Sequence, residues 1–308
     1  MSDTGGRRAI IAAFLANLGI AIAKFVGFLV TGAASLLAEA GHSLADTANQ
    51  GLLLFGRRRS ARGPDERHPF GYGRERFFWA FVVALVLFTG GASFALVEGV
   101  EKLRHPHEIE SAQWAIAILI VAVVLESWSL RTAVLEARPA KGALSWWRFV
   151  RTSRSPELPV VLLEDSGALL GLFFALGGIG VAHLTGDARW DAVGSLAIGV
   201  LLSVIAVVLA IEMKSLLMGE PATEEQARAI CAALLGTPQI TDIIHLRTEH
   251  VGPDDLLVVA KVAVAPSLQM AEVARAIDEA EASVRRSVPS ARLLYIEPDV
   301  LRPAGEAA

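Results

Sequence analysis

Long apolar segments alternate with short polar ones over residues 1–218 of the chain. Six of the apolar segments are long enough to cross a hydrocarbon core of about 30 Å, which takes about 20 helical residues. They run from Ala9 to Val30, Ala34 to Gly56, Phe77 to Val100, Ala112 to Val134, Leu158 to Leu184 and Ala192 to Leu217. Such runs predict helices, because a helix satisfies its own backbone polar groups in lipid. We therefore expect residues 1–218 to form an all-α six-helix transmembrane bundle.

The pattern changes after residue 218 to that of a soluble domain. Residues 223–235 predict an amphipathic helix, whose start is marked by Thr223 and, three residues later, Gln226. The patterns that follow predict two strands, a helix and a strand at residues 240–249, 256–265, 271–288 and 292–297. The order αββαβ predicts a small α+β domain of the ferredoxin-like kind at residues 219–308.

Basic residues are distributed unevenly over the segments that join the predicted helices. Seven arginines follow the second apolar segment and five arginines or lysines follow the fourth, whereas the turn between the first two segments carries no charge. By the positive-inside rule, both termini and the αββαβ domain are expected in the cytoplasm.

Composition narrows the class of protein further. The chain has 308 residues, of which 53% are hydrophobic and 19% charged, and a soluble globular domain has about 25% charged residues. The net charge of −4 provides no basic field for nucleic acid, so we expect no nucleic-acid partner. The single cysteine, Cys231, excludes an internal disulfide and a cysteine-rich zinc site. No nucleophile–base pair or phosphate-binding loop is present, so we do not expect an enzyme.

The second apolar segment carries four polar residues on one helical face, namely Glu39, His42, Asp46 and Asn49. An aspartate at the centre of a membrane helix costs about 2.5–3.5 kcal/mol on the insertion scale. A bound cation offsets that cost, so the stripe predicts a site for a divalent metal ion. The alternative is a polar patch that joins helices through hydrogen bonds.

Two further carboxylates, Glu164 and Asp165, lie inside the fifth apolar segment. Because adjacent helical residues point about 100° apart, we expect only one of them to face the bundle interior fully. His42 and Asp46 supply two ligands, and Asp165 with or without Glu164 completes the set. This mixture of imidazole and carboxylate suits Zn²⁺, Fe²⁺, Co²⁺ or Mn²⁺.

At these residues the chain resembles the cation diffusion facilitator family of divalent metal transporters. The resemblance rests on the stretch from Ser35 to Asp46, the loop from His68 to Glu75, the Asp191-Ala-Val-Gly-Ser-Leu start of the sixth segment and the αββαβ domain. The Glu164-Asp165 pair and the Trp146-Trp147 connection are most similar to the zinc-transporter-nine branch and its bacterial relatives.

The resemblance implies a homodimer, joined through the cytoplasmic domain, that exports cytoplasmic Zn²⁺ in exchange for protons. It implies that His42 and Asp46 are metal ligands, and we assign Glu39 and Asn49 to the surroundings of the ion or to its path. The fifth segment departs from the family pattern of histidine and aspartate four residues apart. If Asp165 is that aspartate, a valine occupies the histidine position, and the fourth ligand is Glu164 or water.

The loop after the second segment departs from the family pattern as well. The family often has a second metal site there, of the form Asp-x-x-His-x-x-x-His. Here Asp65 and His68 are present, but Tyr72 occupies the last position. A weak second metal site is one interpretation, and a turn tied to neighbouring arginines is the other.

We expect the protein to lie in a bacterial inner (cytoplasmic) membrane. Two functions other than zinc export remain open. A metal-binding scaffold or sensor would keep the site and lack transport turnover, as the departures in the fifth segment and the loop allow. An exporter of organic cations would need aromatic residues along the stripe, yet the neighbours of His42 and Asp46 are Ala, Gly, Ser and Leu. Transport of Zn²⁺ is therefore the function that we expect first.

Overall fold

The computed structural model describes residues 4–31, 34–106 and 112–301. The contacts divide the chain into two compact units. The first comprises Met1–Arg59 and Glu75–Lys214, and the second comprises Ser60–Arg74 and Ser215–Ala308. The domain boundary expected at residue 218 stays a prediction, and the loop Ser60–Arg74 belongs to the same unit as the αββαβ segment.

The first unit is helical throughout its described part. Its elements are α1 (Thr4–Thr31), α2 (Ala34–Ser60), α3 (Glu75–Val86), a π-helical turn (Leu87–Ala92), α4 (Ser93–Arg104), α5 (Ala112–Lys141), α6 (Trp146–Thr152), α7 (Glu157–Thr185) and α8 (Arg189–Met218). Among the described residues, four helical stretches are long and apolar enough to cross a membrane, namely Glu75–Arg104, Ala115–Lys141, Glu157–Thr185 and Arg189–Met218. Helices α1 and α2 have 28 and 27 residues. That they too cross the membrane stays a prediction.

The π-helical turn interrupts one continuous span between α3 and α4. Hydroxyl groups compensate for the altered backbone pattern, because Thr89 donates to the carbonyl of Leu85 at 2.8 Å and Ser93 donates to that of Phe88 at 3.1 Å. A Cβ atom at Gly90 would meet nothing within 4 Å. Gly90 therefore does not mark the close helix approach that small residues often indicate.

Helices α7 and α8 do approach closely at a glycine. A Cβ atom at Gly178 would lie 2.9 Å from the carbonyl oxygen of Trp190 and 3.4 Å from the Cα of Gly194. No larger residue fits at this crossing, because the obstacle is backbone. Close packing of membrane helices at small residues is therefore seen at Gly178.

Helix α5 packs against both α1 and α7. The buried face of α5 is built mainly of small residues at helical spacing, and its buried positions are Leu119, Ala122, Glu126, Ser129, Ala133 and Ala137. Small side chains let the neighbouring helices come near, and they place the hydroxyl of Ser129 directly against α7.

The second unit contains the predicted αββαβ order. Its elements are α9 (Glu224–Leu235), β1 (Ile240–Gly252), β2 (Asp255–Val264), α10 (Met270–Ser287) and β3 (Leu293–Asp299). The sheet order is β1-β2-β3, with β1 antiparallel and β3 parallel to β2. The predicted start of α9 is confirmed, because Thr223 and Gln226 form a reciprocal capping box. The ferredoxin-like classification stays a prediction.

The loop Ser60–Arg74 packs against the hairpin of β1 and β2. A Cβ atom at Gly73 would lie 2.7 Å from the carbonyl oxygen of Val251, so only glycine permits this approach. Next to it, the guanidinium of Arg74 pairs with the carboxylate of Glu249. These contacts explain why the loop belongs to the second unit.

Candidate metal centre

Helix α2 contributes a buried polar face to the interior of the first unit. Asn49 and Gln50 are 2% and 0% exposed, and Asp46, one turn earlier, is half-buried. The side chains of Glu39 and His42 lie outside the part of the chain that the structure describes, although the helix runs through both positions. Their roles at the metal stay predictions.

Both carboxylate oxygens of Glu164 on α7 accept hydrogen bonds from α2. Asn49 Nδ2 lies 3.2 Å from Glu164 Oε1, and Gln50 Nε2 lies 2.5 Å from Glu164 Oε2. The amides therefore connect two helices whose residues stand more than a hundred positions apart in the sequence. The carboxylate is 6% exposed, so water contributes little to its solvation.

Asp165, the next residue on α7, contacts a different helix. The hydroxyl of Ser129 on α5 donates to Asp165 Oδ2 at 2.6 Å. Ser129 and Asp165 are each 1% exposed. The structure thus directs Glu164 towards α2 and Asp165 towards α5.

The expectation that only one of these acids faces the interior fully is wrong. Both Glu164 and Asp165 are buried, because α7 is packed against neighbours on more than one side. Adjacent side chains on a helix point about 100° apart. Here these two directions lead to two neighbouring helices, so neither side chain faces lipid.

The described part of the cluster is rich in negative groups. Asp46 interacts electrostatically with both Glu164 and Asp165. The hydrogen-bond donors to the two acids of α7 are neutral amides and a hydroxyl, and no described lysine, arginine or histidine forms an ion pair with either acid. The arrangement can therefore stabilise a cation.

The described side chains do not themselves form a closed metal site. Among them, no three His, Cys, Asp or Glu groups are close enough together to hold one ion, and the side chain of His42 lies outside this described set. The predicted ligand set of His42, Asp46 and Asp165, with or without Glu164, stays a prediction.

Two partners in this cluster were not singled out from the sequence as parts of a metal centre. Gln50 lies four residues after Asp46 on the same face, so its spacing was a usable signal. Ser129 is one polar residue in an apolar segment, and nothing local marks it as the partner of an acid in another helix. The alternative interpretation was a polar patch that joins helices through hydrogen bonds. Asn49 and Gln50 do join α2 to α7 in this way, and their partner on α7 is the carboxylate of Glu164.

Comparison with known proteins places this arrangement in a family. The cation efflux transmembrane domain matches residues 10–218. The human proton-coupled zinc antiporter SLC30A9, mitochondrial, is 36% identical over 232 residues, which cover 74% of this chain and 41% of that protein. The metal tolerance protein C4 of Arabidopsis thaliana is 27% identical over 255 residues, covering 82% of the chain and 56% of that protein.

The chain belongs to the cation diffusion facilitator family. The family's transmembrane domain and the four apolar helical stretches of the described residues make it an integral membrane protein. A bacterial relative, the zinc transporter ZitB of Pectobacterium atrosepticum, is 25% identical over 272 residues, covering 86% of this chain and 78% of that protein. The chain spans about two fifths of the length of the SLC30A9 proteins that it matches, since the aligned share is 41%.

In α7 this chain has a valine where the pattern of the cation diffusion facilitator family has a histidine. Val161 stands there, and its side chain is fully buried. It lies one turn before Asp165, among the apolar residues that begin α7. That Glu164 or water takes the place of this imidazole at the metal stays a prediction.

The loop carboxylate Asp65 is bound within its own loop. Oδ2 accepts from the hydroxyl of Tyr72 at 2.7 Å, and Oδ1 accepts from the backbone N–H groups of His68 at 2.8 Å and Arg67 at 3.0 Å. The hydroxyl of Tyr72, followed by the backbone N–H of His68, lowers the pKa of Asp65 below its ordinary value. This geometry favours the turn interpretation, while metal binding by Asp65 and His68 stays an untested prediction.

Proposed function

We propose that this cation diffusion facilitator protein exports Zn²⁺ from the cytoplasm in exchange for protons. It acts as a homodimer in a bacterial inner membrane, with both termini in the cytoplasm. His42 and Asp46 on α2 and Asp165 on α7 hold the ion, and Glu164 belongs to the same cluster. Fe²⁺, Co²⁺ and Mn²⁺ are the competing cargoes, because the same ligand types suit them.

The observation that carries the proposal is the group of three interacting carboxyl groups in the described cluster. Three carboxylates, Asp46, Glu164 and Asp165, interact in the interior of the first unit, and the bonds to Glu164 and Asp165 come from neutral groups. A buried carboxylate without a compensating cation is costly. A transported divalent cation supplies the compensation, and the printed names of SLC30A9 and ZitB support zinc as that cation.

Protons couple to the metal through the ligands themselves. Carboxylate and imidazole groups must be deprotonated to bind a metal, so binding releases protons and acid conditions release the metal. An unperturbed imidazole exchanges its proton near neutral pH, which is why a histidine ligand suits such an exchange. A proton gradient can therefore drive the release step and the return of the empty site.

The test is zinc flux in proteoliposomes with an imposed pH gradient. The wild type should move Zn²⁺, and dissipation of the gradient should stop it. His42→Ala and Asp46→Ala should each abolish the flux while the dimer, measured by light scattering, stays intact. Competition with Fe²⁺, Co²⁺ and Mn²⁺ in the same assay ranks the cargoes.

Glu101→Ala is the matched control, because it removes an exposed carboxylate at the end of α4 and should leave the flux unchanged. Wild-type rates from His42→Ala and Asp46→Ala would contradict the proposed site. Metal binding without turnover by the wild type would instead identify a scaffold or sensor.

A further inference from the structure

The two neighbouring acids of α7 have different environments, and this difference bears on how each can act. The inference rests on the proposed function, since it concerns which of the acids binds the transported metal. Glu164 has an amide donor on each oxygen, whereas Asp165 has a single hydroxyl donor on Oδ2. The sequence leaves open only whether Glu164 is a ligand beside Asp165.

A cation approaching Glu164 would meet the donors that already surround it. The amide groups of Asn49 and Gln50 direct N–H bonds at Oε1 and Oε2, so the positive ends of these dipoles point to where an ion would bind. Zinc needs an oxygen at about 2.0–2.2 Å. Binding to Glu164 would therefore require displacement of at least one buried amide.

Asp165 keeps one oxygen available for an ion. The hydroxyl of Ser129 engages Oδ2 and leaves Oδ1 without a hydrogen bond to any described residue. A hydroxyl bound to one carboxylate oxygen is the usual outer partner of a metal-binding carboxylate, because it fixes the orientation of the group. Asp165 also interacts with Asp46, the predicted ligand on α2.

The amide pair joins the two helices that carry the predicted ligands. Asn49 and Gln50 follow Asp46 by three and four residues, and Glu164 directly precedes Asp165. A bond from each amide to Glu164 therefore fixes the position of Asp46 relative to Asp165. We infer that Glu164 is a positioning residue, held by Asn49 and Gln50, for Asp46 and Asp165, the aspartates that the proposed function assigns to the metal.

The carbonyl oxygens of the two amides provide a way to test this role. Asn49 Oδ1 and Gln50 Oε1 are buried and have no hydrogen-bond partner among the described residues. A glutamine at position 164 could accept one hydrogen bond from an amide and donate one to such a carbonyl after rotation of that amide. Glu164→Gln therefore preserves the connection between the helices while it removes the charge.

The experiment compares Glu164→Gln with Asp165→Asn, which each replace a carboxylate by an amide of the same shape. Zn²⁺ affinity is measured by titration calorimetry on the purified dimer, and flux is measured in proteoliposomes. Glu164→Gln keeps the connection but loses the charge, so it should lose less affinity than Glu164→Ala, which should lose about 10–100-fold, as loss of an outer partner does. Asp165→Asn should lose more affinity than Glu164→Ala does.

Ligand-field absorption of bound Co²⁺ separates a ligand from a positioning residue. At saturating Co²⁺, Glu164→Ala should keep the band positions of the wild type, because the ligand set is unchanged. A shifted spectrum in Glu164→Ala, or a loss in Glu164→Gln as large as in Asp165→Asn, would overturn the inference. Wild-type affinity in Glu164→Ala would also overturn it, since the amide connection would then have no role.

The inference and the proposed function can fail separately. If the wild type neither binds nor moves Zn²⁺, the proposed function fails, whatever the variants do. If the wild type moves Zn²⁺ and Glu164→Gln does not, only the assignment of Glu164 is wrong. Should Glu164→Gln fail to give a folded dimer, Asn49→Ala with Gln50→Ala should lose the same 10–100-fold, about as much as Glu164→Ala.

Discussion

Helix α7 carries buried carboxylates in two regions, and their partners are cationic in one region and neutral in the other. In its first turn, Glu157 is 2% exposed and pairs with Arg76 of α3, itself 7% exposed. Arg76 Nε lies 2.5 Å from Glu157 Oε1, and Arg76 Nη2 lies 2.9 Å from Oε2. Two turns later, Glu164 and Asp165 receive hydrogen bonds from neutral groups.

The difference indicates that Glu157 has a structural role and that the cluster of Glu164 and Asp165 is suited to binding a transported cation. A guanidinium is permanently charged and matches a carboxylate in two bonds, so Glu157 has no remaining need for a cation. Neutral donors orient an acid without cancelling its charge. The cluster around Asp165 therefore keeps carboxyl groups that a mobile cation can bind.

Placing a resident cation in the cluster should produce the largest effect. Gln50→Lys puts an ammonium group beside Glu164, as Arg76 stands beside Glu157. This charge repels a divalent cation in the same cluster, and in a buried site the repulsion is weakly screened. We expect loss of detectable Zn²⁺ binding in titration calorimetry, with the dimer still folded.

Gln50→Met is the matched control for that substitution. It removes the same amide and keeps a similar length without adding charge, so only the hydrogen bond to Glu164 is lost. Zn²⁺ affinity should fall by about 10–100-fold, as for other outer partners. Equal affinities in Gln50→Lys and Gln50→Met would show that charge in this cluster does not govern metal binding.

Breaking the ion pair in the first turn of α7 should affect stability rather than transport. Arg76→Met leaves Glu157 buried without its cation, which costs about 3–5 kcal/mol when one partner of a buried pair is removed. Chemical unfolding in mixed micelles measures the loss. The double variant Arg76→Met, Glu157→Met should regain most of it, and the Zn²⁺ affinity of the folded fraction should stay that of the wild type.

A half-exposed ion pair provides the control for the buried one. Arg59 Nη2 lies 2.9 Å from Glu75 Oε1, with 34% and 21% of the side chains exposed. Arg59→Met should cost less than about 1 kcal/mol, as exposed pairs do. A similar loss for Arg59→Met and Arg76→Met would contradict the structural role of burial in the Arg76–Glu157 pair.

Features that depend on residues near one another in the chain could be predicted from the sequence. The polar face of α2 follows from helical spacing, and the capping box of α9 follows from Thr223 and Gln226. The αββαβ order follows from the change of hydrophobic period. In each case the deciding contacts lie within a few residues of one another.

The partners of the buried acids could not be predicted, because they depend on how helices cross. Ser129 and Asp165 stand 36 residues apart, Arg76 and Glu157 stand 81 apart, and Asn49 and Glu164 stand 115 apart. A rotation of one helix by a single residue would change each pairing, since adjacent side chains differ by about 100°. For the same reason the sequence could not show that both Glu164 and Asp165 face inward.

The smallest effect is expected from substitution of the loop carboxylate Asp65, whose hydrogen bonds differ from those of the buried acids of α7. All of its described hydrogen bonds come from within seven residues, and they lower its pKa, so the ionised form is favoured above the ordinary value of 3.8. The stabilisation of the loop by this carboxylate is present above that value and is lost as the pH falls through the lowered pKa.

At neutral pH, Asp65→Asn should therefore leave the number of Zn²⁺ ions bound per chain unchanged, as counted by elemental analysis. Tyr72→His should raise that number by one, because it replaces the hydroxyl that occupies Oδ2 with an imidazole and completes the Asp-x-x-His-x-x-x-His pattern. A loss of one Zn²⁺ in Asp65→Asn would instead show that the wild-type loop binds metal despite its internal hydrogen bonds.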